Sequence, residues 1–304
     1  MDKVEKEEGF KAGFVSLIGQ PNAGKSTLLN ALIGEKVSIV SPKVQTTRHR
    51  IRGMLNTEEY QIVFSDTPGI IEPKYRMQSA MMDFVKVAME DADIILYLID
   101  VTEKDSFNPE LLKAFLVKEK HVLLILNKVD LLKGDQALLK QLDTYGAFLP
   151  KDQILPLSAK YKFNLDQILK AILHYLPNHP PFFSADQFTD ISERFWVAEC
   201  IREQIYDAYR KEIPYHTDVA VTEFVEKEDI IEIHADIFVG RKSQKPIIIG
   251  KDGAALKHVG KLARMEMEAF FNKKVFLSLF VKVKEDWRDN TGFLKRLGFN
   301  AQEA

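Results

Sequence analysis

Apolar residues in the first half of the chain gather in short runs, at residues 14–18, 60–65, 94–100, 122–126 and 154–157. Runs of this length without polar alternation predict strands buried on both faces. Between them, residues 25–33, 77–89, 109–118, 136–142 and 165–175 carry apolar positions at the spacing of an amphipathic helix. That alternation predicts an α/β domain with a mostly parallel sheet and helices on both faces. Residues 50–55 and 60–65, joined by the polar turn 56–59, predict a hairpin and so one antiparallel edge strand. The stretch Leu176-Pro177-Asn178-His179-Pro180-Pro181-Phe182 breaks the pattern and predicts a linker. Beyond it the pattern changes to a helix over 191–209, strands over 219–225 and 230–239, a helix over 256–271, a strand over 275–283 and a last short helix over 286–297. The expected organisation is a tail (1–12), an α/β domain (13–177), a linker (178–190) and an α+β domain (191–304).

Composition agrees with two globular domains, since 46% of the 304 residues are apolar and 28% are charged. A disordered chain would need fewer apolar residues or more net charge. Apolar stretches such as 94–99 are far short of the roughly 20 residues that span a bilayer. The acidic, polar N-terminus does not read as a secretory signal, and the single cysteine, Cys200, fits a reducing cytosol. The formal net charge of -2 conceals an asymmetry: residues 241–300 hold 14 Lys and Arg against 6 Asp and Glu. A basic block at one end of an otherwise acidic chain suggests a polyanion partner, or an ordinary solvated charged surface.

Candidate chemistry begins at Gly19-Gln20-Pro21-Asn22-Ala23-Gly24-Lys25-Ser26-Thr27, which fits the phosphate-binding pattern G-x-x-x-x-G-K-[ST] between a predicted strand and a predicted helix. Its glycines let backbone N–H groups wrap phosphates, Lys25 can reach the β- and γ-phosphates, and the Ser26 hydroxyl can bind Mg²⁺. Asn127-Lys128-Val129-Asp130 follows the strand at 122–126 and points to guanine. A carboxylate at Asp130 can accept from N1–H and the exocyclic amine of guanine, donors that adenine lacks there. Ser158-Ala159-Lys160 follows the next strand and can offer a backbone N–H to the guanine carbonyl. Asp66-Thr67-Pro68-Gly69 ends the strand at 60–65, with Asp66 placed to hold Mg²⁺ through water and the Gly69 N–H to touch the γ-phosphate. Thr46 and Thr47 lie in a polar loop, and one of them should close on Mg²⁺ when the γ-phosphate is present. We take Thr47, although spacing leaves both open. These two loops are the segments expected to order with triphosphate and relax after hydrolysis.

The motif order resembles translation-factor-type GTPases. Gln-Pro-Asn-Ala-Gly-Lys-Ser, the Ser41-Pro42-x-x-Gln45-Thr46-Thr47-Arg48 segment and Asp-Thr-Pro-Gly-Ile are similar to the Era family in particular, over nearly the whole chain. The resemblance implies a bacterial GTPase using GTP/GDP and Mg²⁺, with Lys25, Thr47 and Gly69 in catalysis. It also implies binding to the single-stranded 3′ end of 16S rRNA and a role in assembly of the 30S ribosomal subunit. Ile70 stands where Ras-type enzymes carry the glutamine that orients the attacking water, so slow intrinsic hydrolysis is implied. In related GTPases an asparagine at the position of Asn22 helps bind K⁺ near the phosphates; the alternative is that Asn22 only shapes the loop.

In the second half, Ile249-Gly250-Lys251-Asp252-Gly253 contains G-x-x-G between an apolar stretch and a helix, within an α-β-β-α-α-β order. That order resembles a type II KH domain, whose loop clamps about four single-stranded nucleotides. Lys257 and Lys261, four apart, with Arg264 three further on, make one basic helical stripe that can track phosphates. Asp252 subtracts charge, so base edges gain weight over phosphates at this loop. Trp287 could stack on a base, though packing in its own domain is the commoner use, and Trp196 and Cys200 are expected in the core. Phe182 and Phe183 are expected to pin the linker, and His216 and His234 have no second ligand at zinc spacing. The expected protein is a cytoplasmic monomer that binds no DNA. The rival reading is a membrane-surface switch whose basic region docks on anionic lipid, and peripheral contact with the inner membrane could coexist with RNA binding. A large-subunit assembly or tRNA-modification GTPase is disfavoured by the lack of tandem GTPase domains and of a C-terminal cysteine. A metabolic kinase is disfavoured by Asn-Lys-Val-Asp.

Overall fold

The computed structural model describes residues 9–118 and 120–300. Most of the tail expected at 1–12, and the acidic Glu303 at the other end, lie outside the described residues. The chain divides into two compact units. The first takes the chain up to Ser38, then Arg50–Ile71 and Phe84–Asp190; the second takes Ile39–His49, Glu72–Asp83 and Ile191 onward.

In the first unit, β1 (Lys11–Gly19) leads to α1 (Lys25–Ile33), and β2 (Ile51–Asn56) pairs with β3 (Tyr60–Asp66). Then come α2 (Arg76–Asp91), whose first half belongs to the second unit, β4 (Ile94–Asp100), α3 (Pro109–Val117) and β5 (His121–Asn127). The chain continues through α4 (Asp135–Tyr145), β6 (Ile154–Leu157) and α5 (Leu165–Tyr175). The sheet order is β2-β3-β1-β4-β5-β6, parallel except for β2. Every residue of β4 is buried, which is why its sequence is apolar up to the terminal Asp100 rather than alternating. β1 starts at Lys11, inside the stretch read as tail, because Lys11 and Ala12 pair with Tyr60 and Gln61.

The proline-rich segment is held by the sheet rather than left slack. Gln61, buried, accepts from Phe182 N (2.6 Å) and Phe183 N (3.0 Å) through Oε1, and its Nε2 donates to Phe183 O (2.8 Å). His179 stacks on Phe182 with centroids 4.2 Å apart, and Met54 N donates to Phe188 O (2.8 Å).

In the second unit, α6 (Glu193–Ala208) precedes β7 (Thr217–Glu226) and β8 (Ile230–Val239). Then follow α7 (Gln244–Ile249), α8 (Ala254–Phe271), β9 (Lys274–Val283) and α9 (Thr291–Arg296). The sheet runs β7-β8-β9, with β7 antiparallel and β9 parallel to β8. Its core includes Trp196, Cys200, Ile201, Ile233, Val259 and Met267. Trp287 is buried and donates from Nε1 to His216 O (3.1 Å), so it is a packing residue rather than a base-stacking one. The last helix is shorter than its apolar pattern, because Asn290 caps it by accepting from Phe293 N (2.9 Å) and so starts a new helix.

The segment Ile39–His49 is densely bonded within this unit. Arg48 donates to Asp218 Oδ2 (2.6 Å), Thr217 O (2.8 Å), Pro214 O (3.1 Å) and the Tyr206 hydroxyl (3.0 Å). Arg202 donates to Thr46 O (2.5 Å), Tyr206 Oη to Gln45 O (2.9 Å), and Val40 N to Glu203 Oε1 (3.0 Å). Arg76 N donates to Asp289 Oδ1 (3.0 Å), and the Arg288 guanidinium lies 4.3 Å from the Tyr75 ring centroid.

Candidate nucleotide and RNA sites

The parallel register brings the sequence motifs to one edge. Leu17 of β1 lies beside Asp66, which ends β3, and Asp100, which ends β4, lies beside Asn127, which ends β5. Asn127 in turn lies beside Leu157, which ends β6. This carboxyl edge is where open parallel sheets bind ligands. α1 opens behind Gly24, which has a positive φ of 96°. A glycine cannot cap the helix with a side chain, so the first-turn N–H groups stay available to an anion.

Close approach of neighbouring atoms fixes three glycines. A Cβ on Gly19 would lie 2.3 Å from Leu98 O, one on Gly24 2.1 Å from Asn127 Nδ2, and one on Gly69 2.4 Å from Pro21 N. Gly69 therefore lies against the phosphate loop, and Ile70 N donates to Gly19 O (3.1 Å). Thr67 Oγ1 donates to Leu17 O (2.7 Å) and anchors the same turn.

Lys25 is buried and donates to Gln20 O (2.9 Å) and Gly19 O (3.2 Å). Burial lowers its pKa from 10.5 to about 8, with Asp66 acting in the opposite sense. Asp66, wholly buried, accepts through Oδ2 from Ser26 Oγ (2.6 Å) and from Ser38 Oγ (2.8 Å). This set of hard oxygen donors suits a small divalent cation such as Mg²⁺. Ser38 carries no motif signal and was not legible in the sequence.

At the base end, Asn127 Nδ2 donates to Ala23 O (2.7 Å) and its Oδ1 accepts from Ala159 N (3.0 Å). One amide thus ties the phosphate loop to the loop after β6. Ser158 Oγ donates to Asp130 Oδ1 (2.5 Å), which orients that carboxylate. Lys128, at a positive φ of 66°, pairs with Asp100 Oδ2 (2.5 Å). Burial works against the Asp100 carboxylate, but hydrogen bonds from Lys128 and Thr102 outweigh it and hold its pKa below the ordinary value. Asp100 was missed by motif reading, although its place at the end of a wholly apolar strand was a signal. Lys160 is exposed over the Tyr161 ring (5.2 Å), Asn22 is exposed at a φ of 64°, and Thr27 is half-buried in the first turn of α1. Thr46 and Thr47 belong to the second unit, where Thr46 Oγ1 donates to Lys43 O (2.6 Å).

The second unit carries a groove of roughly 470 Å³ between α8 and β9. Its lining includes Gly253, Leu256, Lys257, Lys261, Leu277 and Leu279. Ile249, Gly250, Lys251 and Asp252 form the turn leading into it and are not among the lining residues. Gly250 has a φ of 74°, and a Cβ there would lie 2.6 Å from the Ala255 Cβ. Gly253 has a φ of 76° with open space around it, so conformation alone demands glycine there. Asp252 also adopts a positive φ, 51°.

Residues 14–128 match the family model described as 50S ribosome-binding GTPase, and residues 212–288 match that of the KH domain. GTPase Era of Geotalea uraniireducens is 42% identical over 295 residues, covering 96% of this chain and 99% of the relative. A crystal structure of a variant of Aquifex aeolicus Era bound to GDP·AlF4⁻ superposes with a TM-score of 0.91 at 39% identity, covering 95% of this chain and 99% of that one. Era in complex with MgGDPNP and nucleotides 1506–1542 of 16S ribosomal RNA also gives 0.91, at 40% identity and the same coverage. With the guanine-nucleotide motifs on one sheet edge and a KH unit following in the sequence, the chain belongs to the Era family of GTPases.

Proposed function

We propose that the protein is a GTP-hydrolysing, 16S rRNA-binding GTPase whose RNA binding depends on nucleotide state and serves maturation of the 30S subunit. The observation that carries the catalytic half is the convergence of Lys25, the Ser26–Asp66 pair and Asn127 on one sheet edge. In this reading the first-turn N–H groups of α1 and Lys25 bind the β- and γ-phosphates. Ser26, Asp66 and Thr47 would hold Mg²⁺, which when bound neutralises phosphate charge. Gly69, whose backbone lies against Pro21, would report the γ-phosphate through its N–H. Ile70 offers no side-chain donor or acceptor to the attacking water, so hydrolysis without an added element is slow. K⁺ near Asn22 is the proposed element, and rates that are equal in K⁺ and Na⁺ at fixed ionic strength would remove it. The groove beside Gly253, Lys257 and Lys261 would take single-stranded RNA.

Exchange of the base tests the assignment. Asp130→Asn turns an acceptor into a donor, and xanthine has a carbonyl where guanine has its amine. The variant should lose guanine nucleotides by at least a hundredfold and gain xanthine nucleotides. Retained preference for GDP over XDP would sink the assigned role of Asp130.

A further inference from the structure

β9 is the edge strand of the second sheet, and its two faces differ in kind. Val275 and Val281 point into the core, with Leu277 and Leu279 against it and lining the groove. The opposite face reads Lys274, Phe276, Ser278, Phe280, Lys282, an order of cation, aromatic, small residue, aromatic, cation. Phe276 and Phe280 are 52% and 51% exposed, an expensive placement for two large apolar side chains on one strand. Ser278 between them leaves room for the ring of its cross-strand partner, His234. The His234 ring lies 6.2 Å from Phe276 and 6.4 Å from Phe280, parallel to the latter within 9°. Three rings therefore form one row on the outer sheet face.

The carboxylates near this row are engaged. Asp236 accepts from Lys282 (2.6 Å) and Glu232 from Lys227 (2.6 Å), while Glu223 lies 3.8 Å from His234. The strand end at Lys274 and the following Lys284 keep the β9 margin basic. Aromatic faces between lysines are what a single-stranded nucleic acid requires, with bases on rings and phosphates beside ammonium groups. A protein partner would use the rings but has no need of the flanking lysines.

We propose that the Phe276–His234–Phe280 row is a second stacking site for single-stranded RNA, entered by nucleotides that leave the groove over the β9 edge. Ser278, which sits in the row between Phe276 and Phe280, also lines the groove, so groove and row meet at this residue of the β9 edge. The inference rests on the reading of the groove as an RNA path.

The test uses the full chain with a non-hydrolysable GTP analogue and two labelled RNAs. One is a hexanucleotide matched to the groove, and the other is the same RNA extended at either end by four nucleotides. The extended RNA should bind wild type at least tenfold more tightly, consistent with about 1–3 kcal/mol per stacked base. Phe276→Ala with Phe280→Ala should remove that gain and leave the hexanucleotide within twofold. Phe276→Tyr with Phe280→Tyr should keep it. Equal affinity of wild type for both RNAs, or an unchanged gain in the double alanine variant, overturns the proposal and leaves the row to a protein partner. If neither RNA binds wild type, the groove reading fails and this one with it. If the double variant loses both RNAs, photocrosslinking of a 4-thiouridine extension to wild type decides. An adduct on Phe276, Phe280 or His234 supports the site, and its absence overturns it.

Discussion

Lys25 shows what a buried cation costs a protein that waits for an anion. Its pKa is lowered to about 8 chiefly by burial, so the nucleotide-free fold holds an ammonium that it would rather release. Below about pH 8 the lysine is protonated in folded and unfolded states alike, and the full penalty is present. Between about 8 and 10.5 the unfolded chain binds the proton more tightly than the folded one, so stability rises with pH across that window. The shift corresponds to roughly 3 kcal/mol. Lys25→Met should therefore stabilise the nucleotide-free protein at pH 7.5 by up to about that amount, and the difference should shrink by pH 9.5. Urea midpoints of both proteins across this range, followed by hydrogen exchange in β1 and β4, provide the measurement. A difference that does not change with pH would mean that packing, not charge, sets it.

At the scale of elements, Gln61 decides how the proline-rich segment behaves. Its side chain accepts from two consecutive amides and donates to Phe183 O and to Asn56 Oδ1 (2.8 Å). Gln61→Leu would keep the volume but strip the Phe182 and Phe183 amides of their acceptor. A loss of about 2 kcal/mol follows, visible as a lower urea midpoint and roughly 30-fold faster exchange at those amides. Unchanged exchange would show that the His179–Phe182 stack suffices to hold the segment. Such ties explain where sequence reading ends. Residues 94–100 and 165–175 were legible because wholly buried strands and amphipathic helices leave period signals of their own. Ile247 to Ile249 read as a bare apolar stretch but end α7, since a helix of six residues is too short to show a period. The helix predicted from Ile191 starts at Glu193, because Ser192 caps it by accepting from Phe195 N (3.2 Å), a local bond that outranks the apolar pattern. The phosphate and guanine motifs were legible because their chemistry fixes residue type at fixed spacing. No motif marks Ser38, Asp100 or the Phe276–His234–Phe280 row, because Ser38 reaches Asp66 from a loop and the others depend on register between strands.

For the molecule as a whole, the question is how the nucleotide's state could reach the RNA-binding unit. The chain itself provides a route. Ser38 ends the first unit with its hydroxyl on Asp66, and two residues later Val40 N donates to Glu203 in the second. Thr46 and Arg48 then hold the rest of this segment to Arg202 and Asp218. If Thr47 is drawn to Mg²⁺ by the γ-phosphate, the pull acts on a backbone already bonded to α6 and β7. Coupling of this kind is typically worth about 1–3 kcal/mol, a 5- to 150-fold difference in affinity. RNA affinity should therefore differ at least fivefold between GDP and a non-hydrolysable GTP analogue in the wild type. Glu203→Gln keeps the shape but weakens the acceptor for Val40 N, and should bring that ratio toward one while nucleotide affinity stays within twofold. Fluorescence anisotropy with the same RNA in both nucleotide states separates the cases. A wild-type ratio near one removes coupling altogether. A variant that keeps the wild-type ratio moves the route away from Val40 and Glu203, toward Arg48 and Arg202.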